Sequence, residues 1–219
     1  MRQLFAPGAD AILRLGIFTV IGGLFIAALA TAGVARSAYI TNVGIAPEQP
    51  VPFSHKHHAG ELGLDCRFCH AAVETSASAG LPPTHTCMGC HSQIWTGAPM
   101  LAPVRDSLNT NTPLHWVRVN RVPDYVYFNH SIHIAKGVGC TTCHGNIDNM
   151  QLTARANAFQ MSWCLDCHRN PAPYLRTPKN VFNMHWQPAA DQTAVGKKLI
   201  SENHIRGPAA LTDCSICHR

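Results

Sequence analysis

The chain has 219 residues, a formal net charge of +5 and ten cysteines. All ten cysteines fall into C-x-x-C pairs, and each pair is followed by histidine. That pattern excludes coincidence, a lone zinc ribbon and a thioredoxin-like enzyme, which would need one pair. In chain order the first element is the stretch "LGIFTVIGGLFIAALATAGVA", residues 15–35, which contains no charge. It is long enough for a helix to cross the hydrocarbon core. Arg2 and Arg14 precede it, so the positive-inside rule puts the N-terminus in the cytoplasm and the rest of the chain outside. A cleaved signal peptide is the rival reading, with "ALATA" as the cleavage region, but signal h-regions are shorter. The expectation is an uncleaved single-pass anchor in residues 1–36, in the cytoplasmic (inner) membrane, with residues 37–219 on the periplasmic side. Gly23 and Ala27 give a small-xxx-small spacing that lets another helix approach closely.

The next stretch, "FSHKHHAGELGLDCRFCH", ends in C-x-x-C-H, the mark of covalent c-type haem attachment. Two thiols add to the two vinyl groups of one porphyrin, and the adjacent histidine ligates iron from the proximal face. Five such motifs follow one another: Cys66, Cys69 and His70; Cys87, Cys90 and His91; Cys140, Cys143 and His144; Cys164, Cys167 and His168; Cys214, Cys217 and His218. The expected cofactors are therefore five c-type haems (haem c, iron). An oxidising compartment would otherwise suggest disulfides, but every thiol is assigned to a haem. The positive surplus suggests an anionic partner such as nucleic acid. Two propionates on each haem outweigh that surplus, so it is no evidence for DNA or RNA.

Aligned with itself, the domain shows a repeat of about 75 residues. His55 matches His130, His58 matches His133, Cys66 matches Cys140 and Cys87 matches Cys164. The internal modules are about 50–110 and 125–180, with a tail haem in 190–219. Nine or ten residues separate a histidine from the first cysteine of the first, third and fifth motifs: His55, His130 and His204. These are the expected distal ligands of haems 1, 3 and 5. His58 and His133 lie three residues beyond the first two, on a common helical side, and each pair is expected to serve two neighbouring haems. Spacing alone leaves open which of His58 and His133 serves haem 2 and which haem 4; a crossed assignment would lock the modules together. Met100, Met150, Met161 and Met184 are rival ligands, and a His/Met iron has a raised potential. His57, His85, His115 and His185 are left without iron, and His57 is expected to be exposed.

Short helices are expected around the motifs, with a longer one over residues 151–169. Another is expected over 191–205, with Val195 and Leu199 on one face, capped by Asp191 and stopped by Gly207 and Pro208. "ETSASAGLPPTHT" and "RDSLNTNTP" read as loops. The fold class is α plus irregular: a single N-terminal transmembrane helix, then a multihaem cytochrome c domain with a doubled two-haem module.

The first histidine pair resembles the F-x-H-x-x-H of small multihaem cytochromes of the c3 and c7 type. That resemblance implies that the first histidine ligates the following haem and the second a different one. The whole chain resembles the pentahaem cytochrome subunit of alternative complex III, a bacterial quinol:electron-acceptor oxidoreductase. The likeness lies in the single anchor and in "PVPFSHKHHAGELGLDCRFCH", "YVYFNHSIHIAKGVGCTTCHG" and "MSWCLDCHRNP", and it covers essentially the full length. It implies an electron-transfer subunit that is no enzyme by itself. The implied partners are a polytopic quinol-binding membrane subunit, a large iron–sulfur subunit, a monohaem cytochrome c subunit, and a periplasmic electron acceptor or terminal oxidase. Two other classes compete. A nitrite or hydroxylamine reductase would need a five-coordinate haem, whereas all five motifs end in histidine. A stand-alone quinol dehydrogenase would suit the anchor, but such proteins usually carry four haems.

Overall fold

A computed structural model describes residues 6–218. Its described residues are helical or irregular, with three isolated bridges in place of a sheet. The chain divides into two compact units, the first ending at Asn42 and the second beginning at Val43.

In the first unit, α1 runs Ala9–Arg36 over 28 residues. Its apolar side chains are exposed all round, Leu13, Phe18, Leu24 and Ile26 among them, so the helix has no single apolar face. Its internal polar groups are satisfied locally: Thr19 and Thr31 donate to the carbonyls of Leu15 and Ala27. Arg14 pairs with Asp10 at 2.8 Å, one turn earlier. By length and composition the helix suffices to cross a membrane; Arg2 lies outside the described residues. Ser37 turns to an extended conformation and donates to the Val34 carbonyl. A short α2, Ala38–Thr41, then closes on left-handed Asn42. This extra turn belongs with α1 to the first compact unit.

In the second unit a π-helical turn, Lys56–Glu61, precedes α3, Cys66–Cys69, and α4, Thr84–His91. Then come α5, Ala102–Thr110, α6, His130–Ala135, α7, Cys140–His144, and α8, Met161–Arg169. The chain ends with α9, Gln192–Glu202, α10, Pro208–Leu211, and α11, Cys214–Cys217. Every C-x-x-C pair thus sits on a short helix. Asp65 and Asp213 cap two of them, each accepting from the backbone N–H two residues on, which satisfies an otherwise unpartnered donor.

Three expectations need correction. The helix predicted over 151–169 begins only at Met161. Before it, the Arg155 guanidinium donates to the carbonyls of Arg121, Asn157 and Ala158, and Asn157 donates to the Cys143 carbonyl. Those tertiary bonds hold the segment extended, and Phe159 breaks it with φ 52°. The predicted loop "RDSLNTNTP" is helical as far as Thr110, with proline in its first turn and Val104 and Ser107 buried. The helix predicted over 191–205 stops at Glu202; the Asp191 carboxylate makes no cap bond, and Pro208 opens α10 rather than stopping α9.

The protein's own apolar core is small. Val51, Leu101 and Val104 form one cluster, packed against Cys87, Met88, Leu114 and Trp116. Leu175, Ala172, Val181 and Leu199 are buried elsewhere. Gly196 of α9 lies so close to the Ala172 backbone that a Cβ there would fall on it.

Candidate haem-binding sites

Four proximal histidines each face a second histidine. The ring centroids of His55 and His70 are 6.5 Å apart, and those of His130 and His144 are 6.4 Å apart. Both pairs are nearly parallel, at 7° and 5°. His58 and His91 stand 6.2 Å apart at 66°, and His133 and His168 stand 6.2 Å apart at 31°. Each ring centroid sits about 1.1 Å behind its nitrogen, and metal–imidazole bonds are about 2 Å, so two imidazoles on one iron would stand about 6.2 Å apart. The four observed separations match that span, so the residues present fit an iron porphyrin.

The outer nitrogens agree. Nδ1–H of His58, His70, His91, His130, His133 and His168 donates to the carbonyls of Ser54, Gly80, Ile94, Ala77, Asn129 and Leu211. His55 Nδ1 bonds Thr153 Oγ1 at 2.9 Å. A carbonyl acceptor at Nδ1 leaves the lone pair on Nε2 and fixes the ring plane, as the outer partners of ligating histidines do. His144 Nδ1 lies 3.0 Å from Asn120 Nδ2, while Asn120 Oδ1 is buried without a partner. Exchanging the amide atoms resolves both facts by placing Oδ1 as the acceptor. Burial, reinforced by the facing histidines, lowers the pKa of His55 and His144 to about 4 and holds them neutral.

Phe53 and Phe128 have roles that spacing did not reveal. Phe53 stacks on His58 at 4.4 Å and meets His55 edge-on at 4.9 Å. Phe128 does the same with His133 and His130, at 4.5 and 4.8 Å. One phenyl ring thus sets the planes of two imidazoles. The signal was present in sequence as F-x-H-x-x-H in both modules. The capping Asp65 and Asp213 were also missed, although aspartate directly precedes both C-x-x-C-H motifs.

The fifth motif differs. His218 donates Nδ1–H to the Tyr125 carbonyl at 3.2 Å, and the Tyr125 ring lies 5.7 Å from its own. His204 sits just beyond α9 with φ 49° and takes no part in a ring pair among the described residues. His57 is exposed and pairs with Glu61 at 2.9 Å. His185 reaches the buried Asp148 at 3.4 Å.

Burial raises the pKa of most of the motif thiols, that of Cys143 to about 12 and that of Cys167 to about 11. Cys66 and Cys140 share a hydrogen bond that lowers the first and raises the second.

Five C-x-x-C-H motifs on short helices, in an otherwise irregular domain that follows one long apolar helix in sequence, are the arrangement of a domain that holds several c-type haems. Among known proteins the chain is similar to the multihaem cytochrome c subunit of menaquinone reductase from Nitratidesulfovibrio vulgaris strain Hildenborough. The two are 28% identical over 176 residues, covering 78% of this chain and 77% of that one. No family model matches the chain.

Proposed function

We propose that the chain is the pentahaem electron-transfer subunit of a membrane quinone oxidoreductase complex. The observation that carries this reading is the set of four facing histidine pairs at 6.2–6.5 Å. In the assignment they support, His70 and His55 hold the first haem, and His91 and His58 the second. His144 and His130 hold the third, and His168 and His133 the fourth, so the assignment is uncrossed. Cys214, Cys217 and His218 carry the fifth; His204 does not face His218 and is not carried into this assignment. When bound, each iron supplies one-electron redox chemistry.

The residues of the chain do the rest. The cysteines would anchor each haem covalently, and the paired imidazoles would hold four of them from two sides, leaving no position there for a substrate. Carbonyls at Nδ1 and the rings of Phe53 and Phe128 hold the imidazoles still, which limits reorganisation when charge changes. At these four sites nothing makes or breaks a substrate bond, so they pass electrons, which is the part of a cytochrome c subunit in an oxidoreductase complex.

The finer reading is the subunit of an alternative complex III-like assembly, anchored by α1 with its haem domain on the periplasmic side. It would receive electrons from a quinol-binding membrane subunit and an iron–sulfur subunit. It would pass them towards a monohaem cytochrome c, a periplasmic carrier or an oxidase. The similar chain from Nitratidesulfovibrio belongs by name to a menaquinone reductase, and this favours a second reading in which electrons run the other way, towards quinone. Native complex and isolated chain should be mixed separately with a quinol, and haem reduction followed in the visible spectrum. The first reading predicts rapid reduction in the complex and none in the isolated chain. Reduction of the isolated chain would make it a quinol dehydrogenase in its own right. Oxidation of pre-reduced haems by added quinone, with no reduction by quinol, would establish the second reading.

A further inference from the structure

Chain order would place the second motif beside the third. The packing of the modules gives a different order, and it does so through an exchange. The Lys56 N–H, one residue after His55, donates to the Met150 carbonyl at 3.0 Å. The Ser131 N–H, one residue after His130, donates to the Ser76 carbonyl at 3.2 Å. Met150 and Ser76 each lie six residues beyond a proximal histidine, His144 and His70. These two bonds are therefore equivalents, and each crosses from one module to the other. Further crossings run the same way. His130 Nδ1 donates to Ala77, and His55 Nδ1 bonds Thr153. Gly60 abuts the Asp148 backbone so closely that a Cβ there would fall on the carbonyl.

Each module thus seats its upstream histidines on the loop that follows the other module's first motif. This brings the first and third motifs back to back, with Cys66 and Cys140 side by side. The second motif stands beside the first, because His55 and His58 lie three residues apart on one turn and face His70 and His91. Away from the first motif, α4 packs on α5 and the Val51, Leu101 and Val104 core. By the same argument, His130 and His133 put the fourth motif beside the third. The fifth motif then adjoins the fourth. His168 donates to the Leu211 carbonyl just ahead of α11, and α8 packs on α10.

On the haem reading given above, we infer that the five centres form a single row in the order second, first, third, fourth, fifth. The second and fifth sites are its two ends, where an outside electron donor and acceptor have their shortest approach. The central step joins the two modules across an approximate twofold exchange.

The test is a crystal of the native haem-loaded complex with anomalous diffraction recorded at the iron edge, each iron being assigned to its motif by tracing the cysteines. The expected map places the first and third irons as neighbours, the second beside the first alone and the fifth beside the fourth alone. A second iron neighbouring the third, or a first neighbouring the fourth, would overturn the order while leaving the haem reading intact. Absence of iron at the motifs would overturn both.

Discussion

His58 and His57 are adjacent in sequence and opposite in circumstance. His58 is clamped by Phe53 and the Ser54 carbonyl and faces His91; His57 is exposed beside Glu61. His58→Ala is expected to convert one low-spin ferric EPR signal to high-spin and to create one carbon monoxide-binding haem, whereas His57→Ala leaves both readouts unchanged. Phe53→Leu keeps an apolar side chain but loses the flat face, and aromatic pairs of this kind are worth about 0.5–1.5 kcal/mol. Denaturant midpoints should fall accordingly at full haem content, with the EPR line of the second haem broadened; an unaltered line would contradict the clamp. Arg176 is a buried cation, 4% exposed, lying over Trp186 at 4.3 Å and bonded to Asn183 and Thr141, with no partner at Nε. It abuts Gly139, at the threshold of the third motif. A buried positive charge beside a redox centre favours its reduced state by Coulomb attraction that water screens little. Arg176→Gln should therefore lower one midpoint potential in a spectroelectrochemical titration, the others moving little.

Among the elements, those that carry motifs were legible because the C-x-x-C-H spacing itself demands one helical turn. α5 was not. Its Ser, Asn and Thr read as loop residues, yet a proline in the first turn and the burial of Val104 and Ser107 override that propensity. Residues 151–160 misled in the opposite direction, since the bonds that hold them extended come from Arg121, Cys143 and His55, residues far away in sequence. α9 offers a direct stability test. Gly196→Ala would drive a Cβ into the Ala172 backbone, and overpacking of this type costs about 1–3 kcal/mol, readable in thermal denaturation. At α3, the hydrogen bond and charge of Arg67 lower the Asp65 pKa. A carboxylate depressed on folding contributes stability that is full above its ordinary pKa and is lost as pH falls through the depressed value. Because the group is half exposed, the contribution is about 0.5 kcal/mol. Asp65→Asn should lower stability at neutral pH by about that amount and leave it unchanged at strongly acid pH, so that the acid limb of the stability–pH curve below about pH 4 is flattened.

At the scale of the molecule, the count of motifs, the repeat and the long apolar helix could all be read from the sequence, because covalent attachment leaves a strict spacing and an uncharged apolar run is plain in the residues themselves. The partnering of His58 with His91 and of His133 with His168 could not, nor could the interlocking of the modules. Both depend on how a loop after one motif meets a helix some seventy residues away, and no local pattern records that meeting. The small core of residues 43–218 follows the same logic: the chain is shaped around what its cysteines hold rather than around its own side chains. The account therefore stands on the closure of the first four iron sites by paired histidines. EPR spectroscopy of the oxidised, haem-loaded protein, with and without added azide, tests it most directly. At least four low-spin ferric signals, unmoved by azide, are predicted. A high-spin, azide-sensitive signal assigned to any of the first four haems would contradict it.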